Sequence, residues 1–132
     1  MSVLEPHVAA WLAKADNDLL NVANNLAAAD VPWDTVCFHA QQAAEKLLKA
    51  VLIRAGSAPP KTHDLIALLA RCAEYEPALA DLEADCRVLA SFAVTSRYPD
   101  DLFEPDEADG RRTAEIAQRV RARVGALLAA QR

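Results

Sequence analysis

Apolar residues recur at intervals of three and four along most of the chain, and this spacing predicts five α-helices. The first predicted helix runs from about Glu5 to Ala29. The second begins at Asp34, whose side chain we expect to cap it, and ends at Gly56, because glycine readily adopts the left-handed conformation that terminates helices. The proline-rich connector SAPPK follows, since consecutive prolines cannot continue a helix.

The third predicted helix is the segment HDLIALLARCAEY, with Thr62 as its expected cap and Asp64 near its positive end. The fourth starts at Pro77 and is expected to stop near Ser96, because Pro99 disfavours a helical conformation in the residue before it. A last helix follows an acidic loop, and its predicted buried residues are Ile116, Ala117, Val120, Val124, Leu127 and Leu128. Long helices with short connections favour antiparallel neighbours, so we expect an all-α fold, an up-and-down bundle of four to five helices in one domain spanning residues 1–132.

The composition agrees with this fold and argues against some classes of function. Hydrophobic residues make up 53% of the chain but aromatic residues only 5%, and alanine, a strong helix former, is abundant. The net charge of −5 argues against a nucleic-acid binder that acts through bulk electrostatics. The three cysteines are far apart and lie in apolar stripes, so we expect core thiols and no metal site. Neither a leader peptide nor a membrane-spanning run is evident, which favours a cytoplasmic protein.

The stretch VCFHAQQAAEKLLKA, residues 36–50, combines an apolar side with a mixed one. Apolar residues on one side of the predicted helix form the expected core contact: Val36, Cys37, Ala40, Ala43, Ala44, Leu47 and Val51. The opposite side carries Phe38, His39, Gln42, Glu45, Lys46, Lys49 and Ile53. One interpretation is a solvated face with an i,i+4 pair between Glu45 and Lys49. The other is a recognition surface, with Phe38, Glu45 and Ile53 as candidates for a dimer interface.

Three blocks, FHAQQAAEKLLKAVL, THDLIALL and SRYPD, resemble the HEPN domain family in its small prokaryotic form, in both order and spacing. The segment WLAKADNDLLNVANNL also resembles the first helix of that family. The resemblance implies a helical bundle, usually a homodimer, related to the helical substrate-binding part of nucleotidyltransferases. It also implies frequent operation beside a separate minimal nucleotidyltransferase, and nucleotide binding or metal-independent RNA cleavage in toxin–antitoxin systems.

The ribonuclease members of the family carry an arginine followed, after four to six residues, by a histidine. Arg97 is present here, but Leu102, Phe103 and Glu104 occupy the positions of the histidine. No histidine occurs after His63. We therefore assign no catalytic residue and no cofactor, and the sequence favours a protein that is not an enzyme.

The candidate ligand-binding residues are the hydrogen-bonding and cationic side chains of the three blocks: His39, Gln42, Lys46, Lys49, His63, Arg97 and Tyr98. Arg97 could grip a phosphate and Tyr98 could stack on a base. The alternative is that Arg97 pairs with the acidic loop that follows it. Acidic charge beside Arg97 disfavours RNA more than a mononucleotide. Arg119, Arg121 and Arg123 form the best basic patch of the chain, although they also complement the dipole of the last helix.

These patterns lead to one expected function and two alternatives. We expect a dimeric, nucleotide- or substrate-binding partner of a minimal nucleotidyltransferase in a two-component, toxin–antitoxin-like module. The first alternative is an atypical metal-independent ribonuclease that uses Arg97 with His39 or His63. The second is a stand-alone nucleotide-binding module.

Overall fold

The computed structural model describes residues 4–92 and 104–130. Its helices are α1 (Pro6–Leu26), α2 (Trp33–Arg54), α3 (Leu65–Tyr75), a 3₁₀ helix (Pro77–Leu82) that leads into α4 (Glu83–Ala90), and α5 (Glu107–Ala130). The predicted all-α bundle is confirmed, since no strand occurs within these ranges. None of the helices there combines the length and the apolarity that crossing a membrane requires.

The second helix, α2, forms the centre of the bundle. It packs against α1, α5, α3 and α4, so side chains on most of its circumference are buried. The predicted core side of α2 is confirmed, because all of its predicted core residues are buried. Leu48, Ala50 and Leu52 are also fully buried, which extends the buried surface well beyond that side.

The helix ends differ from the prediction in ways that the capping contacts explain. Gly56 ends α2 as predicted, with a φ of +83°, and the Ser57 amide donates to the Leu52 carbonyl at 2.9 Å. Asp34, however, lies inside the first turn of α2, and Pro32 occupies the capping position. Proline has no amide hydrogen to satisfy, so it is well tolerated where a helix begins.

Two further boundaries also need correction. The cap of α3 is Asp64, not Thr62: its carboxylate accepts from the amides of Ile66 and Ala67, both at 3.1 Å. The helix α4 ends at Ala90, before the predicted end near Ser96, which lies outside the described residues. The α1 helix likewise ends at Leu26, three residues before its expected end.

Three arginines of α5 form ion pairs with neighbouring elements of the bundle. Arg119 pairs with Asp85 of α4 at 3.0 Å, Arg121 with Asp16 of α1 at 2.7 Å, and Arg123 with Asp81 of the 3₁₀ helix at 2.7 Å. These side chains lie at the surface, so each pair contributes modestly to stability. The predicted basic patch is therefore largely neutralised by aspartates from neighbouring elements.

All three cysteines are buried in the bundle, as predicted. Burial raises the pKa of Cys72 to about 12, and burial likewise raises the pKa of Cys86 to about 12. The Cys72 thiol donates to the Leu48 carbonyl of α2 at 3.2 Å. The Cys72 and Cys86 thiols therefore stay protonated, and all three cysteines belong to the core.

The contact between α2 and α5 depends on Gly110. A Cβ atom at this position would lie 2.5 Å from Cε3 of Trp33, which opens α2, and the guanidinium of Arg111 lies 5.3 Å from the centroid of the same ring. The absence of a side chain at Gly110 thus allows α5 to pack closely against the Trp33 indole of α2.

We expect Gly110→Ala to destabilise the protein by about 1–3 kcal/mol, because the added methyl group overpacks against Trp33. Urea unfolding followed by tryptophan fluorescence measures the change. The control is Gly125→Ala in the same helix, where the new Cβ meets only the flexible end of Arg121. That variant should be neutral or stabilised by up to about 1 kcal/mol, since alanine favours a helix more than glycine does. Equal effects of the two substitutions would contradict the assignment.

Candidate functional site

The candidate site follows one side of α2, and we call this side the α2 strip. Its residues are Phe38, His39, Gln42, Glu45, Lys46, Lys49 and Ile53. The strip is not a solvated face: Glu45 and Lys49 are only 3% and 7% exposed, and the other five side chains are half-buried. Burying charge is unfavourable unless partners surround it, so the contacts of these groups define the site.

Asp18 of α1 organises one half of the strip. Its carboxylate is 5% exposed, and it lies 2.8 Å from Nδ1 of His39 and 2.6 Å from Nζ of Lys46. A carboxylate only accepts hydrogen bonds, so His39 donates through Nδ1. One buried acid therefore fixes both an imidazole and an ammonium group of α2.

Glu45 organises the other half of the strip. It accepts a hydrogen bond from Lys49 at 3.1 Å, so the predicted i,i+4 pair is present, although it is buried. His63, in the loop before α3, brings Nδ1 within 3.1 Å of both carboxylate oxygens. Lys49 also lies 5.4 Å from the ring centroid of Trp11 in α1, a cation–π distance. These contacts join α1, α2 and the loop before α3.

The remaining polar members are two glutamines. Gln42 donates through Nε2 to Oε1 of Gln41 at 2.8 Å. Gln41 is 1% exposed, and its own Nε2 is the one buried side-chain polar atom of the described residues that lacks a partner. A buried amide donor without an acceptor is costly, so this atom needs a reason for its placement.

The apolar members lie toward the two ends of the strip. Phe38 packs edge to face with His39, with ring centroids 5.1 Å apart and planes at 70°. Ile53 packs against the edge of the main core. The three candidates for a dimer interface thus divide: Phe38 and Ile53 keep partial exposure, whereas Glu45 is occupied inside the protomer.

The structure brings five of the seven predicted ligand-binding residues together: His39, Gln42, Lys46, Lys49 and His63. The other two, Arg97 and Tyr98, lie outside the described residues. Each lysine of the strip already has a buried carboxylate as its partner. This pairing leaves little positive charge for a phosphate, which the sequence analysis did not anticipate.

Three residues of the site were missed from the sequence: Trp11, Asp18 and Gln41. The usable signal was Asp18, which follows Trp11 and Ala15 at helical spacing and so lies on the apolar stripe of α1. Charged residues are rarely buried without a partner, so an acid in that position indicates an ion pair. Its partners come from another helix and could not be identified from spacing.

The fold is an all-α helical bundle with a charged strip along its central helix. In such bundles, polar sites are built between facing helices. A family model, that of the HEPN domain, matches residues 8–127 of the chain. The chain belongs to the HEPN domain family. Comparison with curated proteins and with solved structures gave no match.

We expect Asp18→Asn to destabilise the protein by about 1–3 kcal/mol, because the amide leaves Lys46 without a counter-charge in a half-buried position. Urea unfolding followed by circular dichroism measures the change. The control is Asp16→Asn, two residues earlier on α1. This substitution breaks an exposed pair with Arg121 and should cost less than about 1 kcal/mol. A loss for Asp18→Asn no larger than that of its control would show that the buried pair is unimportant.

Proposed function

We propose that this HEPN-domain protein is a dimeric, nucleotide- or substrate-binding partner of a minimal nucleotidyltransferase in a toxin–antitoxin-like module. The single observation that carries the proposal is the α2 strip on a HEPN scaffold. The strip holds hydrogen-bonding side chains in fixed positions through Asp18 and Glu45, and such preorganisation favours binding.

The proposal favours binding over catalysis for a chemical reason. Metal-independent RNA cleavage needs a base for the ribose hydroxyl and a cation beside the phosphate. The family's arginine has no histidine behind it at the ribonuclease spacing, and Lys46 and Lys49 are each held by a carboxylate. The overall charge of −5 also works against a polyanionic substrate.

Dimerisation through the strip is part of the proposal. Phe38 and Ile53 keep partial exposure on a helix that is largely buried, and a partly exposed aromatic residue is a suitable anchor for an interface. Charged groups close to Phe38 are already neutralised within the protomer, so a partner copy need not compensate them.

We expect a dimer at micromolar concentration, with Phe38→Glu raising the dissociation constant at least about 30-fold, the effect of losing an interface anchor. Light scattering over a dilution series measures it. The matched control is Leu20→Glu, because Leu20 is the most exposed large apolar residue of the described chain, at 56%, and lies on α1. A monomeric wild type, or a dimer weakened only by Leu20→Glu, would contradict the proposed interface.

We expect co-expression with the small nucleotidyltransferases of the same genome to yield one that co-purifies with this protein in a fixed ratio. The protein alone should not cleave RNA in the presence of EDTA, because the histidine of the ribonuclease motif is missing. Size-exclusion chromatography and an assay with a defined RNA measure the two properties.

Two specific results would contradict this proposal. Absence of any co-purifying nucleotidyltransferase, together with RNA cleavage in EDTA that Arg97→Ala abolishes, would favour the ribonuclease alternative. Cleavage that persists in Arg97→Ala but is lost in His39→Ala would move the activity to the α2 strip.

A further inference from the structure

A groove of about 600 Å³ lies between α1 and α5, and it shares no residue with the α2 strip. Both helices pack against α2, but they contact each other much less than either contacts α2, so a gap remains between them. The pair between Arg121 and Asp16 joins them across this gap. The apolar residues that line the groove are Val22, Ala23, Leu26, Ala114 and Ala122.

The outer face of α5 continues the lining of this groove along the helix. Its residues follow one another at alternating intervals of three and four: Glu115, Gln118, Ala122, Gly125 and Ala129. All five are exposed or half-buried, and none belongs to the core side of α5. This alternation is the spacing with which one helix packs along another, and small side chains allow the two axes to approach closely.

Gly125 has no packing role within the protomer. Glycine inside a helix is destabilising relative to alanine, so its presence there needs a reason. At Gly110 the reason is the Trp33 ring, whereas a Cβ atom at Gly125 would meet only the flexible end of Arg121. A close contact from outside the protomer accounts for a glycine at this position.

The charges that line the groove indicate the sign of what it binds. Arg111 is paired with Glu107 at 2.8 Å, and Arg119 is paired with Asp85 at 3.0 Å. Glu115 makes no ion pair or hydrogen bond with any residue in the described ranges. The uncompensated charge of the groove is therefore negative, as is the net charge of −5 of the whole chain, and both favour a basic partner.

We propose that the groove binds an amphipathic α-helix of a partner protein, with large apolar side chains between α1 and α5 and a lysine or arginine beside Glu115. An apolar groove between two helices is a recognised seat for such a helix. The inference goes beyond the proposed function, because neither the dimer nor the ligand site of the α2 strip involves the groove.

Fluorescence anisotropy with three labelled peptides of about 20 residues, long enough to form a helix, tests this assignment. The first has leucine at positions i, i+3, i+4 and i+7 and lysine on its other face. The second has glutamate in place of lysine, and the third is a scrambled leucine–lysine sequence without an apolar face. The first peptide should bind at least about tenfold more tightly than either of the others.

Variants of two exposed alanines locate the site. Ala122→Trp fills the groove and should weaken binding of the leucine–lysine peptide about tenfold or more. The matched control is Ala67→Trp, an exposed alanine of α3 outside the groove, which should bind as the wild type does. Because both alanines lie at the surface, both variants should keep the helical content of the wild type by circular dichroism.

A charge reversal tests the electrostatic part. Glu115→Lys should reduce the preference for the lysine peptide over the glutamate peptide at least about tenfold. The matched control is Glu74→Lys, which changes the net charge by the same amount at an exposed position of α3 and should leave the preference nearly unchanged.

Four results would overturn the inference. They are no binding of the leucine–lysine peptide, equal binding of its scrambled form, equal effects of Ala122→Trp and Ala67→Trp, and equal effects of Glu115→Lys and Glu74→Lys. Light scattering should show the same oligomeric state for Ala122→Trp as for the wild type. A dimer that Ala122→Trp dissociates would place a second copy in the groove, against the inference. The proposed function is tested separately, by Phe38→Glu and by co-purification.

Discussion

The neutralisation of two buried carboxylates, Asp18 and Glu45, is the interaction on which the rest of this structure depends. Moving an ionised acid out of water costs several kcal/mol unless cations and donors surround it. Each acid here receives one lysine and one histidine, and the pairs join α1, α2 and the loop before α3. The central helix can therefore carry charged residues through the middle of the bundle, because their partners are supplied by neighbouring elements.

The same pairing determines what the strip can do. Side chains held by buried acids have few alternative rotamers, so their outer atoms are presented in fixed directions, which lowers the entropic cost of binding. The positive charge of the two lysines is also neutralised by these acids within the protomer. A surface of this kind selects partners by hydrogen-bond geometry and apolar contact more than by charge. This property supports the proposed binding role and disfavours contact with a polyanion.

Much of the fold was predictable from the sequence, because the spacing of apolar residues in a helix and a glycine that terminates it are both visible locally. The end of α2 at Gly56 is one such signal. The capping of α3 by Asp64 was assigned two residues too early, since Thr62 and Asp64 are both suitable caps and their choice depends on the incoming loop. The candidate site was predictable only in part. His39 and Lys46 were identified from their face of α2, but their shared partner is 21 and 28 residues away, and such pairing depends on tertiary packing.

The tautomer of His39 tests the central claim most directly, because it reports whether Asp18 organises the strip. Nitrogen-15 NMR of the imidazole rings at pH 8 distinguishes protonation at Nδ1 from protonation at Nε2. We predict that the neutral His39 ring carries its proton on Nδ1, and that Asp18→Asn removes this preference. His7, whose acid is exposed, serves as the internal reference. A His39 ring protonated mainly at Nε2, or a tautomer unaffected by Asp18→Asn, would contradict the account.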